Sequence, residues 1–333
     1  MIAQLDSRYV RTRPARALSR LVSYAFFEGR PLTTRGRWIN PLLMPFARAI
    51  ANRSKEGFVD RPVFILGSGR TGTTVLGKIL SLHRSVGFLN EPKLMWHAAY
   101  PGEDLNGNYG EEPAQYRLDG ADADEHVAAC IKNLYSTYLS VTRNTRIVDK
   151  YPELIFRAAF VKQIFPDSRF IVLTRNGYDT CRSVSAWSEA HKESHDDSNI
   201  DWWGRNNRKW IYLVDQLVRS NETLRSSAGE IAHFTDPDNM AAVEWMLSTK
   251  EGLTLVQDYQ DSTIRLRYEK LVSSPERVIP ELLDFCGLSH DPVVVNYATA
   301  SLKEKPTGRP IQLHPLIDNY FHQVMSESGY TSD

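Results

Sequence analysis

"RPVFILGSGRTGTTVLGKIL", Arg61 to Leu80, holds the change of pattern on which the fold turns. Pro62 to Leu66 is a short apolar run rich in Val, Ile and Phe, the composition of a strand buried on both faces of a parallel sheet. Gly67, Gly69 and Gly72 then allow a sharp turn, and from Thr71 onward Val75, Leu76, Ile79 and Leu80 recur at helical spacing. The stretch reads as strand, loop and helix, with backbone N–H groups and a helix N-terminus converging on one small volume. Such a volume attracts phosphate-like anions.

A triphosphate-binding loop has Gly, four residues, Gly, Lys and Ser or Thr, with its lysine on the β and γ phosphates and its hydroxyl on magnesium. Gly67 and Gly72 have that separation, but Thr73 stands in the lysine's place and the cation comes earlier, at Arg70. A guanidinium fork with hydroxyl donors can hold a doubly charged end group without an obvious place for a metal. This points away from an ordinary kinase or NTPase. A glycine-rich turn with no ligand is the plainer alternative.

The 333 residues suffice for one large α/β domain or two small ones. Lys plus Arg and Asp plus Glu both number 40, so net charge gives no argument for nucleic acid or an anionic surface as partner. Cys130, Cys181 and Cys286 are far apart and odd in number, which disfavours a disulfide framework or zinc site and favours a reducing, cytoplasmic setting. The arginine-rich start, "RYVRTRPARALSRLV", has apolar runs too short for a secretory signal or a membrane span. It reads either as a helix packed on its own domain or as an amphipathic surface or partner helix.

Residues 1–57 form a helical and irregular extension broken by Pro14, Pro31, Pro41 and Pro45, ahead of a single domain over 58–333. Further strands are expected at Val86 to Pro92, at "RIVDKYPE", at Ser168 to Thr174 and at "STIRLRYEKL", with helices between them. The stretch from Pro101 to Gly120 reads as a long loop, and that from Glu189 to Asn199 as a polar one. Asp236 with Pro237, and Ser274 with Pro275, mark helix starts, the second opening the last regular helix. Alternating strands and helices imply a parallel sheet covered on both faces, whose ligands bind at the carboxyl ends of the strands. That rule gathers Gly67 to Thr74, Glu91, Lys150, Arg175 and Tyr268 at one crevice. Ser183, two turns into the helix after Arg175, points back across it, and together they make a second anion site.

The pair "GSGRTGTT" and "RNGYDTCRS" resembles the two nucleotide signatures of sulfotransferases that use 3′-phosphoadenosine 5′-phosphosulfate. "DKYPELIF", "IFPDSRFIVLTRN" and "RYEKLVSSPERVIPELLDFCGL" extend the resemblance over about Pro62 to Leu288. It implies a three-layer α/β fold of the P-loop NTPase-like kind, with a central parallel sheet flanked by helices. By the same resemblance Gly69, Arg70, Thr71, Gly72, Thr73 and Thr74 bind the 5′-phosphosulfate, Arg175 and Ser183 the 3′-phosphate, and Tyr268 sits near the nucleotide. The Arg form of the first loop is similar to the bacterial, carbohydrate and tyrosylprotein branches. A sulfuryl donor has no γ-phosphate, so the missing lysine has no task, while Arg70 can neutralise charge growing on the leaving phosphate. No metal is expected, and the product is adenosine 3′,5′-bisphosphate.

An alcohol acceptor needs a base, and Glu91 in "FLNEPKLMW" stands where several members carry a catalytic glutamate. A structural ion pair is its other reading, and His97 is the second candidate base. Lys150 matches a family lysine that steadies the sulfuryl group, or else pairs with Asp149 or Glu153. His191 and His195, one helical turn apart, lack the order of a zinc motif. Trp96, Tyr100, Tyr109, Trp187, Trp202 and Trp203 are wall residues for an acceptor or ordinary core. Lys303, Lys305 or Arg309 can close over the nucleotide.

The expected activity is in-line sulfuryl transfer to a hydroxyl of a small-molecule, lipid or glycan acceptor. Glu91 serves as base, with Arg70 and Lys150 as electrostatic stabilisers. The competing readings are a nucleotide-dependent kinase and a nucleotide-binding module without turnover, the latter favoured if Glu91 is buried in an ion pair away from the crevice. No nucleic acid and no transmembrane segment is expected, and a homodimer is compatible with the sequence.

Overall fold

β1 (Val63–Leu66) has all four side chains buried, as the run of β-branched and aromatic residues predicts for a central strand. Each such side chain contributes about 1.5–3 kcal/mol on leaving water. The computed structural model describes residues 2–29, 37–195, 198–304 and 310–330. In it β1 lies between β3 (Arg146–Lys150) and β4 (Arg169–Thr174), with β2 (Val86–Asn90) beyond β3 and β8 (Thr263–Arg267) beyond β4. All four pairings are parallel, giving the central parallel sheet of an α/β fold, with apolar clusters on both faces. The register sets Asn90 beside Lys150 and Thr174 beside Arg267, so the strands end at a common edge.

Three short strands, β5 (Glu193–His195), β6 (Ser198–Asp201) and β7 (Gly204–Arg205), form an antiparallel sheet of their own where a polar loop was expected. Asp201 pairs with Gly204, so Trp202 and Trp203 are the turn between β6 and β7. Gly204 takes φ of 80° there, a conformation that costs a glycine little. The helix Gly177–His191 leads into this sheet and packs against the long helix Pro237–Asp258.

Among the described residues the N-terminal segment holds the helices Pro14–Phe26 and Asn40–Ala51, and both pack against the helix Glu125–Thr142. Pro14 and Pro41 stand in first turns, where a missing N–H costs nothing, and Asn40–Ala51 continues through Pro45 instead of breaking there. The stretch after Pro101 is tied down: Glu103, Asp104, Leu105, Ala114, Tyr116 and Leu118 are buried in it. Asp236 caps its helix by accepting from the Asn239 N–H at 3.0 Å. Ser274 precedes Pro275–Phe285 without a side-chain cap bond, and that helix is not the last: Pro292–Ser301 and Pro315–Glu327 follow. Among the described residues no helix is long and apolar enough to cross a membrane.

Candidate active site

The loop after β1 is held between two aromatic rings. A Cβ on Gly69 would lie 2.4 Å from the Trp202 ring, and one on Gly72 would lie 2.3 Å from the Tyr268 ring. Gly72 also takes φ of 98°, a left-handed conformation that admits no ordinary side chain at low cost. Thr71, buried, donates its hydroxyl to the Ser68 carbonyl at 2.7 Å, which closes the turn instead of facing the cavity. Thr73 and Thr74 open the helix Thr73–Leu80 and face a cavity of about 580 Å³. The wall of that cavity also includes Gly69, Arg70, Gly72, Glu91, Lys150, Arg175, Ser183 and Tyr268, so ten of the eleven predicted positions line one space.

The two segments expected to bind anions touch. Arg70 Nε donates to Ser183 Oγ at 3.2 Å, and Arg175 Nη1 donates to the Arg70 carbonyl at 3.3 Å. Arg70 reaches this position with φ of 67°, a strained value for a residue with a side chain. Arg175 lies over the Tyr268 ring at 5.0 Å, while its own carbonyl accepts from Trp245 Nε1 at 3.1 Å. Burial lowers the Arg70 pKa, opposed by the charge of Glu91.

Glu91 also has φ in the left-handed region, 53°, at the end of β2. Its N–H donates to the Lys150 carbonyl at 2.7 Å, and its carboxylate is ion-paired with Lys150 Nζ. The lysine side chain is 4% exposed and the glutamate 35%, so the pair has one buried end and one open to the cavity. Lys150 therefore pairs neither with Asp149 nor with Glu153. Asp149 instead accepts from Trp96 Nε1 at 2.9 Å and from Tyr135 Oη, and burial raises its pKa to about 7.

Beyond this pair lies a group of charges that the sequence did not single out as a site. Lys209 Nζ sits 2.5 Å from Glu244 and 3.7 Å from Glu153, and Lys93 Nζ lies 3.7 Å from Glu153. Burial opposes the charge on Glu153, but Lys93 and Lys209 outweigh it and bring its pKa down to about 2. Trp202 Nε1 donates to Glu244 at 2.7 Å, and Lys209 lies 4.7 Å from the Trp202 ring centre. The Tyr116 hydroxyl is buried at the cavity wall with no hydrogen-bond partner. Residues so distant in sequence are joined only by the fold. Lys93, two positions from Glu91, carried the one local signal.

Trp187 and Trp202 line the cavity in edge-to-face contact at 5.3 Å. Trp96 and Trp203 are buried in the core, with Tyr100 and Tyr109 packed against it. His97 is off the cavity wall: its ring stacks on Tyr109 at 4.8 Å, and burial lowers its pKa. Lys303 is exposed and away from the cavity, while Lys305 and Arg309 lie outside the described residues. Among the described residues no group of three His, Cys, Asp or Glu side chains is placed to hold a metal ion.

Over 243 residues the chain is 24% identical to the nodulation protein NoeE of Sinorhizobium fredii, covering 71% of this chain and 51% of that protein. Over 257 residues it is 25% identical to an uncharacterized protein of Aquifex aeolicus, covering 74% and 29% respectively. The chain thus spans about half or less of the length of these curated relatives. It superposes on the sulfotransferase domain of the curacin biosynthetic pathway with a TM-score of 0.49 and 18% identity, over 83% of this chain and 99% of that one. The profile of the sulfotransferase family matches residues 62–228, from the start of β1 past the second anion segment. With half of its length matched, the chain belongs to the sulfotransferase family.

Proposed function

We propose that this chain transfers a sulfuryl group from 3′-phosphoadenosine 5′-phosphosulfate to a hydroxyl of a polar acceptor. The observation that carries the reading is the contact between Arg70 and Ser183, which joins two anion-binding segments at one cavity. A donor charged at both its 5′ and 3′ positions needs two such segments. Bound there, it supplies an activated sulfuryl group and a stable leaving group, the 5′-phosphate of adenosine 3′,5′-bisphosphate. Gly69, Arg70, Gly72, Thr73 and Thr74 hold the phosphosulfate end, with Thr71 fixing the loop. Arg175 and Ser183 hold the 3′-phosphate, and Tyr268 supports both Gly72 and Arg175.

Glu91 takes the acceptor's hydroxyl proton as the new O–S bond forms, and Arg70 and Lys150 offset negative charge on the oxygens of the group in transit. In the resting protein Lys150 is held by Glu91. A sulfuryl group entering the cavity competes for that ammonium, and the glutamate is released to face the acceptor. The glutamate is not sequestered away from the crevice, which supports turnover over mere binding.

The acceptor end of the cavity supports a hydroxyl-rich substrate, such as a glycan or a small polar metabolite. Lys93, Lys209, Glu153 and Glu244, paired among themselves, make this end of the cavity strongly polar, and the unpartnered Tyr116 hydroxyl would be stranded against a flat apolar ring, whereas a sugar hydroxyl can pair with it. Trp187 and Trp202 add ring surface for the apolar face of a sugar. Three cysteines, all buried and unpaired, accord with a cytoplasmic setting. The test is transfer of labelled sulfate from the donor to a panel of sugars and phenols. Label on the sugars, lost in Glu91→Gln, supports the reading; label on neither class overturns it.

A further inference from the structure

The helix Pro14–Phe26 is packed inside out. Arg20 and Ser23 point inward, Arg20 to Glu28 and Ser23 to the Tyr138 hydroxyl, while Leu18, Leu21 and Phe26 are exposed. The helix Asn40–Ala51 buries Ala47, Ile50 and Ala51 against the core yet leaves Leu42, at 71%, and Phe46 exposed. Trp38, just ahead of it, is 68% exposed. Of the ten large apolar side chains exposed among the described residues, eight lie in the first 58. Such concentration in one segment is unlike the scattered exposure of an ordinary surface.

Charge is concentrated in the same segment. Residues 1–57 hold eleven of the chain's 40 Lys and Arg but three of its 40 Asp and Glu. Arg8, Arg11, Arg48, Arg53 and Lys55 are exposed, against the single exposed acid Glu56, which pairs with Lys132. Both helices lie against Glu125–Thr142, whose own end exposes Val141. A second copy of the chain docking by the same face would set like charge against like charge. A surface apolar in its depth and negative at its rim suits both features, as an anionic bilayer does for interfacial helices with aromatic and aliphatic anchors.

We propose that the N-terminal helices are a docking face for an anionic lipid bilayer, with Leu18, Leu21, Phe26, Trp38, Leu42 and Phe46 entering the headgroup region and the arginines binding lipid phosphates. The same segment puts Gln4 on the wall of the active-site cavity, held by Arg20, so the docked face and the cavity share a border.

The test is flotation of the whole chain with vesicles of phosphatidylcholine alone and of phosphatidylcholine mixed with phosphatidylglycerol, at about 0.1 M and about 0.5 M salt. The expected result is flotation with the mixed vesicles only, weakened by salt. It is lost in Leu42→Ser/Phe46→Ser and reduced about 30-fold in Arg48→Gln/Lys55→Gln. All these side chains are exposed, and unchanged melting confirms that the variants fold. Absence of flotation with mixed vesicles overturns the proposal. So does flotation that both variants retain, or a vesicle-free dimer that Leu42→Ser/Phe46→Ser separates into monomers.

Discussion

Arg70 Nε and Ser183 Oγ, 113 positions apart in the chain, are joined by a 3.2 Å hydrogen bond across the mouth of the cavity. The loop after β1 and the helix after β4 are thereby set against each other before any ligand arrives. Ser183→Ala removes one neutral hydroxyl partner and is expected to weaken adenosine 3′,5′-bisphosphate by about tenfold. Arg70→Ala removes a charge-assisted contact and is expected to cost about 10–100-fold. Calorimetry on the two variants checks the order, and Ser183→Ala proving the more harmful would contradict it.

The Glu91–Lys150 pair assigns the two residues different signatures. Glu91→Gln keeps the size of the side chain and removes the base, so kcat is expected to fall by about 10²–10⁴ with nucleotide affinity nearly unchanged. Lys150→Met removes the ammonium and is expected to lower both kcat and affinity for the sulfated donor. Steady-state kinetics with titration of the product nucleotide separates the cases. A Glu91→Gln variant that keeps wild-type kcat rules out its role as base.

Gly69 and Gly72 are closed to side chains by Trp202 and Tyr268. Gly69→Ala is expected to push Trp202 off the loop and weaken nucleotide binding by about tenfold or more, and Gly72→Ala adds backbone strain of about 1–3 kcal/mol. Melting temperature and Trp fluorescence report both effects. Nucleotide affinity unchanged in Gly69→Ala would show that the ring does not fix the loop.

The parallel sheet and the position of the cavity were legible in the sequence because β1 and β4 are short apolar runs, each followed by a glycine-containing turn and a helical pattern. The Lys93, Lys209, Glu153 and Glu244 group was not, since its members come from four separate helical segments, and no local spacing brings a buried ion network together. The polar stretch after Glu189 was read as loop because Ser, Asp, Asn and His dominate it. Its short antiparallel sheet rests instead on the tight turn at Trp202 and Trp203. "DPVVVNYATAS" conceals the helix Pro292–Ser301 behind three consecutive valines, although Asp291 caps it on the Val293 N–H at 3.1 Å. Glu91 and Lys150 were each identified, but their pairing depends on the β2–β3 register, which sequence alone leaves open.

Stability carries an unusual pH signature. Burial raises Asp149 and Glu103 to about 7. A carboxyl with a raised pKa holds its proton more tightly folded than unfolded, so its contribution is full at low pH and fades as pH rises through about 4 to 7. Glu153, lowered to about 2, acts in the opposite sense: its contribution is full above the ordinary 4.5 and is lost as pH falls toward 2. Asp149→Asn is expected to flatten the fall in stability between about pH 5 and 7, by up to about 1.4 kcal/mol per pH unit. Urea midpoints across that range check it, and a variant with the wild-type slope would contradict the assignment.

The central claim is the donor, and calorimetry of adenosine 3′,5′-bisphosphate against ADP, on wild type and Arg175→Ala, tests it most directly. The account predicts a strong preference for the bisphosphate, lost in the variant because the 3′-phosphate no longer meets its arginine. Equal binding, or a preference for ADP that requires magnesium, would contradict it and favour a kinase.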